Sequence, residues 1–108
     1  MTVEEITVQD LKKMKEENQE FFLLDVRQQY EKDLVDIGGS LIPLGELDNR
    51  IDELEPHKNQ EIIIYCRSGA RSAEACRALM ASGYDNVKNL KGGILKWAQE
   101  IDSSLPTY

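Results

Sequence analysis

Apolar positions along the chain fall into two kinds of pattern, short unbroken runs and stripes at helical spacing. Phe21-Phe22-Leu23-Leu24-Asp25-Val26 and Glu61-Ile62-Ile63-Ile64-Tyr65-Cys66 are runs bounded by polar residues. Such runs are expected of strands buried on both faces, as in a parallel sheet. Ser40-Leu41-Ile42-Pro43 is a shorter run that stops at proline, and Asn86-Val87-Lys88-Asn89-Leu90 supplies a fourth strand. Glu5-Ile6-Thr7-Val8 reads as an edge strand. Between the runs lie the stripes. Thr7, followed three positions later by Asp10, predicts a capped helix reaching about Glu17. Leu44, Leu47, Ile51 and Leu54 recur at helical spacing with charges between them. Ala75, Cys76, Leu79 and Met80 form the apolar face of a helix that begins near Arg71 and stops at Gly83. Ile94, Trp97, Ala98 and Ile101 mark a last helix, introduced by Gly92-Gly93. Strands alternating with helices predict an α/β fold, an open sheet with right-handed crossovers and helices on both faces. The tail, Ser103 to Tyr108, reads as extended along the surface.

Composition narrows the picture. With 108 residues, 41% hydrophobic and 31% charged, the sequence predicts one globular domain spanning 1–108. No apolar run approaches the roughly 18–20 residues that cross a bilayer. The start carries Glu4 and Glu5 rather than a basic, then apolar, leader, so a cytoplasmic protein without membrane partners is expected. A net charge of −7 argues against nonspecific nucleic-acid binding, which needs phosphate neutralisation. Two cysteines cannot form a stabilising disulfide framework. One histidine and two separated cysteines offer no metal set, and no cofactor is called for.

The charge is unevenly distributed. Up to Leu54 there are six Lys+Arg against fourteen Asp+Glu; after it, seven against six. From Ile64 to Lys96 there are six cations (Arg67, Arg71, Arg77, Lys88, Lys91, Lys96) and only Glu74 and Asp85 against them. A local cationic stretch suits an anionic ligand, although scattered surface charge would give the same count.

Chemistry concentrates in Cys66-Arg67-Ser68-Gly69-Ala70-Arg71-Ser72, between a buried strand and a helix. Ligands of open α/β sheets bind at the carboxyl ends of strands, where this cysteine falls. Gly69 permits the backbone angles that turn successive N–H groups inward, and the following helix start adds positive potential. A thiol there is expected to ionise below the free value of about 8.5, giving a nucleophile. Arg67 and Arg71 add positive charge for an anionic substrate. A cysteine merely packed at a strand end is the bland alternative.

The chain resembles the rhodanese family of sulfurtransferases over essentially its whole length. Three motifs carry the resemblance: Leu24-Asp25-Val26-Arg27 with Tyr30-Glu31, the Cys66–Ser72 loop, and Leu90-Lys91-Gly92-Gly93-Ile94-Leu95-Lys96-Trp97. The resemblance implies a five-stranded parallel sheet with helices on both sides. It also implies a Cys66 persulfide held by the N–H groups of Arg67, Ser68, Gly69, Ala70, Arg71 and Ser72. Sulfur would come from a small anionic donor such as thiosulfate or from a protein persulfide, and pass to a thiol, cyanide or a protein acceptor. A non-catalytic interaction module on the same fold is the alternative. Asp36-Ile37-Gly38-Gly39-Ser40-Leu41-Ile42-Pro43 departs from the Gly-His-Ile-Pro-Gly-Ala-like run of many members. That variant most resembles rhodanese domains fused behind enzymes that adenylylate ubiquitin-like sulfur carriers. Cysteine-dependent phosphatases carry Cys-x5-Arg; here Cys66 to Arg71 is Cys-x4-Arg, a tighter ring suited to one sulfur rather than a whole phosphate.

Other residues carry two readings each. Asp25 and Arg27, at the end of the first buried strand, either support the Cys66 loop and its anion field or pair with each other and cap a turn. Cys76 reads as core packing, with resolution of a persulfide as the alternative. His57 reads as a surface-loop residue and Trp97 as core, while Gly92-Gly93 would bring backbone close to the Cys66 loop. Lys88, Lys91 and Lys96 read as solvated, with an acidic partner's docking surface as the other reading.

Overall fold

The two long apolar runs form adjacent central strands. In the computed structural model, which describes residues 2–108, the strands are β1 (Glu5–Ile6), β2 (Phe22–Asp25), β3 (Ser40–Leu41), β4 (Ile62–Tyr65) and β5 (Val87–Leu90). They form one sheet in the order β1-β5-β4-β2-β3, and every pairing is parallel. Register between β2 and β4 runs from Phe22 opposite Ile62 to Asp25 opposite Tyr65, so both carboxyl ends reach one edge. The helices are α1 (Val8–Glu16), α2 (Gln29–Leu34), α3 (Leu47–Arg50), α4 (Ala70–Ala81) and α5 (Gly93–Glu100).

Period-two alternation along the central strands separates two cores. Leu24, Ile62 and Ile64 face Leu47, Ala75, Cys76 and Leu79 on one side of the sheet. Leu23, Ile63 and Tyr65 face Val8, Leu11, Ile94 and Trp97 on the other. Hence α3 and α4 cover one face, and α1 and α5 the other. This is the expected α/β architecture with helices on both sides.

Local signals explain most element ends. Thr7 Oγ1 accepts the Asp10 N–H at 3.0 Å, and Asp10 Oδ2 accepts the Thr7 N–H at 3.2 Å, a reciprocal cap on α1. Thr7 therefore ends β1, which is shorter than the run Glu5–Val8, and α1 ends at Glu16. Of Ser40–Pro43, only Ser40 and Leu41 pair as strand.

Four expectations change. Leu44, Leu47, Ile51 and Leu54 do not share one helix: a 3-10 turn (Leu44–Glu46), the single turn of α3 and a second 3-10 stretch (Ile51–His57) follow one another. Leu47 and Leu54 nonetheless reach the core, because the tighter winding keeps three-residue spacings on one side. Helix α2 had no sequence signal; its buried residue is Glu31, while Tyr30 and Leu34 are exposed. His57 is not a free loop residue, since its ring stacks on Phe22 with centroids 3.8 Å apart and Nδ1 lies 2.7 Å from Gln60 Oε1. Finally, the tail folds inward, with Leu105 and Tyr108 packing against the Trp97 core. None of the described helices is long and apolar enough to cross a membrane.

Candidate active site

Cys66 follows β4 directly and is 1% exposed, so its sulfur lies under the loop rather than on it. The loop turns through Gly69 at φ 114°, a left-handed conformation that disfavours a side chain, and α4 begins at Ala70. That turn aims donors at the sulfur. The Gly69 N–H donates to Sγ at 3.1 Å and the Ser72 N–H at 3.4 Å, with the Ser72 hydroxyl 3.3 Å away. Burial pushes the Cys66 thiol up, but the Ser72 hydroxyl and the N–H groups of Ser72, Gly69 and Ser68 outweigh it and hold it below its ordinary value. A cradle of donors around a strand-end sulfur stabilises a thiolate, or the outer sulfur of a persulfide.

Gly93 lets the last β–α unit clamp this loop from behind. A Cβ on Gly93 would fall 2.5 Å from the Arg67 carbonyl oxygen and 2.6 Å from that of Cys66. Without it, the Ile94 N–H donates to the Cys66 carbonyl at 3.0 Å and the Leu95 N–H to the Arg67 carbonyl at 3.1 Å. The expectation that Gly92-Gly93 approaches the loop is met, and Trp97 is core.

The arginines behave differently from a simple cationic rim. Arg71 donates to Glu31 through Nη1 at 2.7 Å and Nη2 at 2.8 Å, a bidentate pair linking α4 to α2. The Arg71 hydrogen bonds, helped by the Tyr108 hydroxyl 2.7 Å from Glu31 Oε2, bring the Glu31 carboxyl down to about 2 despite burial. Arg67 donates to the Tyr108 carbonyl oxygen, through Nε at 2.6 Å and through Nη2, and lies 5.2 Å from that ring's centroid. The positive charge counted along this stretch is therefore partly matched by the chain's own acceptors.

Asp25 and Arg27 form a pair with fully buried side chains, Nη2 to Oδ2 at 2.9 Å. Arg27 also donates to the Val35 carbonyl at 2.7 Å, the Glu31 carbonyl at 3.3 Å and the Tyr108 hydroxyl at 3.1 Å. It thus satisfies carbonyls at the end of α2 and seats the helix that carries Glu31. The two residues pair with each other, and Arg27 is connected to Arg71 of α4 through Glu31.

Of the residues picked out in sequence, Cys66, Ser68, Gly69 and Ser72 converge on the sulfur. Arg67 and Arg71 flank it with their guanidiniums engaged, and Ala70 is exposed on the first turn of α4. Cys76 lies in the core without exposure, and burial pushes its thiol up to about 12. Three contributors had no role in the sequence reading. Glu31 stands within the first motif, but its partner is 40 positions away; Tyr108 sits in the tail; and Asn89, whose Oδ1 lies 2.5 Å from Ser72 Oγ, looks like any polar residue in a strand. Among the described residues no group of three or more His, Cys, Asp or Glu could hold a metal ion.

Comparison with known proteins is consistent with this geometry. Residues 7–100 match the family model of the rhodanese-like domain. A sulfurtransferase of Allochromatium vinosum is 37% identical over 103 aligned residues, covering 90% of this chain and 90% of that protein. An adenylyltransferase and sulfurtransferase of Arabidopsis thaliana is 30% identical over 118 aligned residues, covering 95% of this chain but 25% of the relative. The chain thus spans about a quarter of that larger protein. Among solved structures, a rhodanese-like domain protein from Staphylococcus aureus superposes with a TM-score of 0.82 at 28% identity, covering 98% of this chain and 99% of that one.

Proposed function

The chain belongs to the rhodanese-like family and is a sulfurtransferase of that family, and from this premise we propose that it carries sulfane sulfur on Cys66 as a persulfide. The reading rests chiefly on the donor cradle: the N–H groups of Gly69 and Ser72 point at a sulfur that the sheet places at its carboxyl edge. In the first step the Cys66 thiolate attacks the outer sulfur of the donor. A bond from Sγ to that sulfur forms, the donor's sulfur–sulfur bond breaks, and sulfite (from thiosulfate) or a thiolate (from a persulfide) leaves with the electron pair. In the second step an acceptor nucleophile, a thiol, cyanide or a protein group, attacks the outer sulfur. Cys66 then departs as the thiolate that the cradle already stabilises.

Roles follow from position. Cys66 is the nucleophile; Arg67, Ser68, Gly69, Ala70, Arg71 and Ser72 enclose the transferred sulfur and the anionic donor. Asp25 and Arg27 support the loop from beneath. The chain acts as one domain over 1–108, and a cytoplasmic setting, where thiols stay reduced, suits its two free cysteines. Incubation with thiosulfate should add the mass of one sulfur atom to Cys66, and cyanide or dithiothreitol should remove it. A Cys66 that alkylates readily yet gains no sulfur from thiosulfate or from a persulfide overturns the proposal.

Similarity along 95% of the chain to an adenylyltransferase and sulfurtransferase supports a second reading, a shuttle whose acceptor is a ubiquitin-like sulfur carrier. Slow turnover with cyanide together with fast transfer to a carrier's carboxyl terminus would favour it. A non-catalytic interaction module is disfavoured by the intact donor set around Cys66.

A further inference from the structure

Behind the loop, Asn89 of β5 makes two hydrogen bonds that together fix a proton. Its Nδ2 donates to the Gly69 carbonyl oxygen at 3.1 Å, and its Oδ1 lies 2.5 Å from Ser72 Oγ. A carbonyl oxygen can only accept, so the first contact sets which way the amide faces. Oδ1 can also only accept, so the proton between it and Oγ is the serine's. The Gly69 carbonyl, 3.2 Å from Ser72 Oγ, is the alternative acceptor, but the Ala73 N–H at 3.1 Å and Asn89 Nδ2 already occupy its two lone pairs. A hydroxyl has one proton. While Asn89 holds it, Ser72 presents only lone pairs to the sulfur 3.3 Å away.

We propose that Asn89 is a positioning residue for the nucleophile, acting through Ser72 as the resting acceptor that competes with the Cys66 sulfur for the serine proton. In the resting site the Cys66 S–H donates to Ser72 Oγ. When the thiol loses its proton to solvent, the Ser72 O–H rotates from Asn89 Oδ1 to the sulfur; only hydrogen bonds are exchanged. The ease of that rotation sets how much of the serine's donor capacity reaches the thiolate. Asn89 is buried, and its own backbone N–H is bound to the Glu4 carbonyl at 2.8 Å, so the amide is held by the sheet rather than by the loop it serves.

The charged groups around the sulfur act separately from this device. Arg71 of α4 is bound to Glu31 of α2, Arg67 of the loop to Tyr108, and Arg27 to Asp25 at the end of β2. The other thiol in the same core is Cys76 of α4. None of these side chains hydrogen bonds to Ser72 or Asn89.

The inference rests on the functional reading only in taking Cys66 as the reacting atom, and the two fail separately. Its test is the pH profile of Cys66 alkylation by iodoacetamide, with the modified cysteine identified by mass. Asn89→Leu removes the close acceptor at 2.5 Å and leaves only the Gly69 carbonyl, freed of Nδ2 and 3.2 Å from Ser72 Oγ, as a weaker competitor; it should lower the midpoint by about half a unit, roughly three-fold more thiolate at a fixed pH below it. Asn89→Asp offers a stronger acceptor and a negative charge, and should raise the midpoint by a similar amount. In a Ser72→Ala background the Asn89→Leu shift should vanish. Should leucine not fit, Asn89→Ala carries the same expected fall. Loosened packing alone would move both Asn89 variants in one direction. That result, an unmoved midpoint in Asn89→Leu, or a shift that survives Ser72→Ala overturns the inference. A thiol that titrates as expected but accepts no sulfur would leave it standing and overturn the functional proposal instead.

Discussion

Cys66 and Cys76 sit ten positions apart, both essentially unexposed and both in the core on the α3–α4 side of the sheet. One is held below the ordinary thiol range and the other is pushed up to about 12. Exposure does not distinguish them; donors do. Cys66 is met by the Gly69 and Ser72 N–H groups and the Ser72 hydroxyl, whereas Cys76 is buried in the apolar core, where burial governs its thiol. Burial alone opposes ionisation, and it becomes useful only where the fold also supplies hydrogen bonds to the anion.

The sharpest way to break this comparison is to delete each sulfur in turn. Cys66→Ser should cut sulfur transfer by about 10³-fold or more in a steady-state assay, since no other group in the cradle can form the covalent intermediate. Cys76→Ala should leave the transfer rate within about two-fold and instead cost about 1–2 kcal/mol in urea unfolding through the lost core volume. It should also flatten the alkaline limb of stability. A buried thiol raised from 9.0 to about 12 stabilises the fold fully below pH 9, and that contribution is lost as pH rises towards 12. If Cys76→Ala abolished transfer while still folding, the two cysteines would be a redox pair and the contrast would fail.

Removing the gap that admits the clamp tests what holds the donors in place. Gly93→Ala must fit a Cβ 2.5 Å from the Arg67 carbonyl oxygen at a residue with φ 59°. We expect a loss of about 3 kcal/mol and a fall in Cys66 alkylation at neutral pH, because the loop must move away from the last helix.

A smaller effect is expected of Glu31→Gln. It keeps the shape but removes the charge that binds Arg71, and should cost about 2 kcal/mol at pH 7. The acid response carries a definite sign. A carboxyl lowered from 4.5 to about 2 stabilises the fold above pH 4.5, and that contribution is lost as pH falls towards 2. Urea midpoints measured at pH 7 and pH 3 should therefore differ less in Glu31→Gln than in the parent chain.

What the sequence revealed is what depends on near neighbours. The runs at Phe21–Val26 and Glu61–Cys66 became β2 and β4 because burial on both faces needs little else. Thr7 and Asp10 cap each other over three positions, and Gly69 marks its own turn. Helix α2 lacked any apolar stripe: it is seated by Arg27 and by a buried glutamate, a polar solution that hydrophobic spacing does not report. The break between Leu44 and His57 was hidden because leucines three apart fit a 3-10 winding as well as an α-helix. The contacts that finish the site, Glu31 with Arg71, Asn89 with Ser72, and Tyr108 with Arg67, join residues 17 to 41 positions apart. No local pattern encodes those distances. The net positive stretch was legible as a count, but not the pairing that takes up its two loop arginines.

The bonds from Ile94 and Leu95 to the two carbonyls at the end of β4 tie the timing of the site to its architecture. During synthesis the Cys66 loop emerges well before its clamp, so the proposed nucleophile reaches its final setting only when the final β–α unit docks. The same two amides are also internal gauges: their deuterium-exchange protection reports whether the loop is closed, residue by residue, without any substrate present.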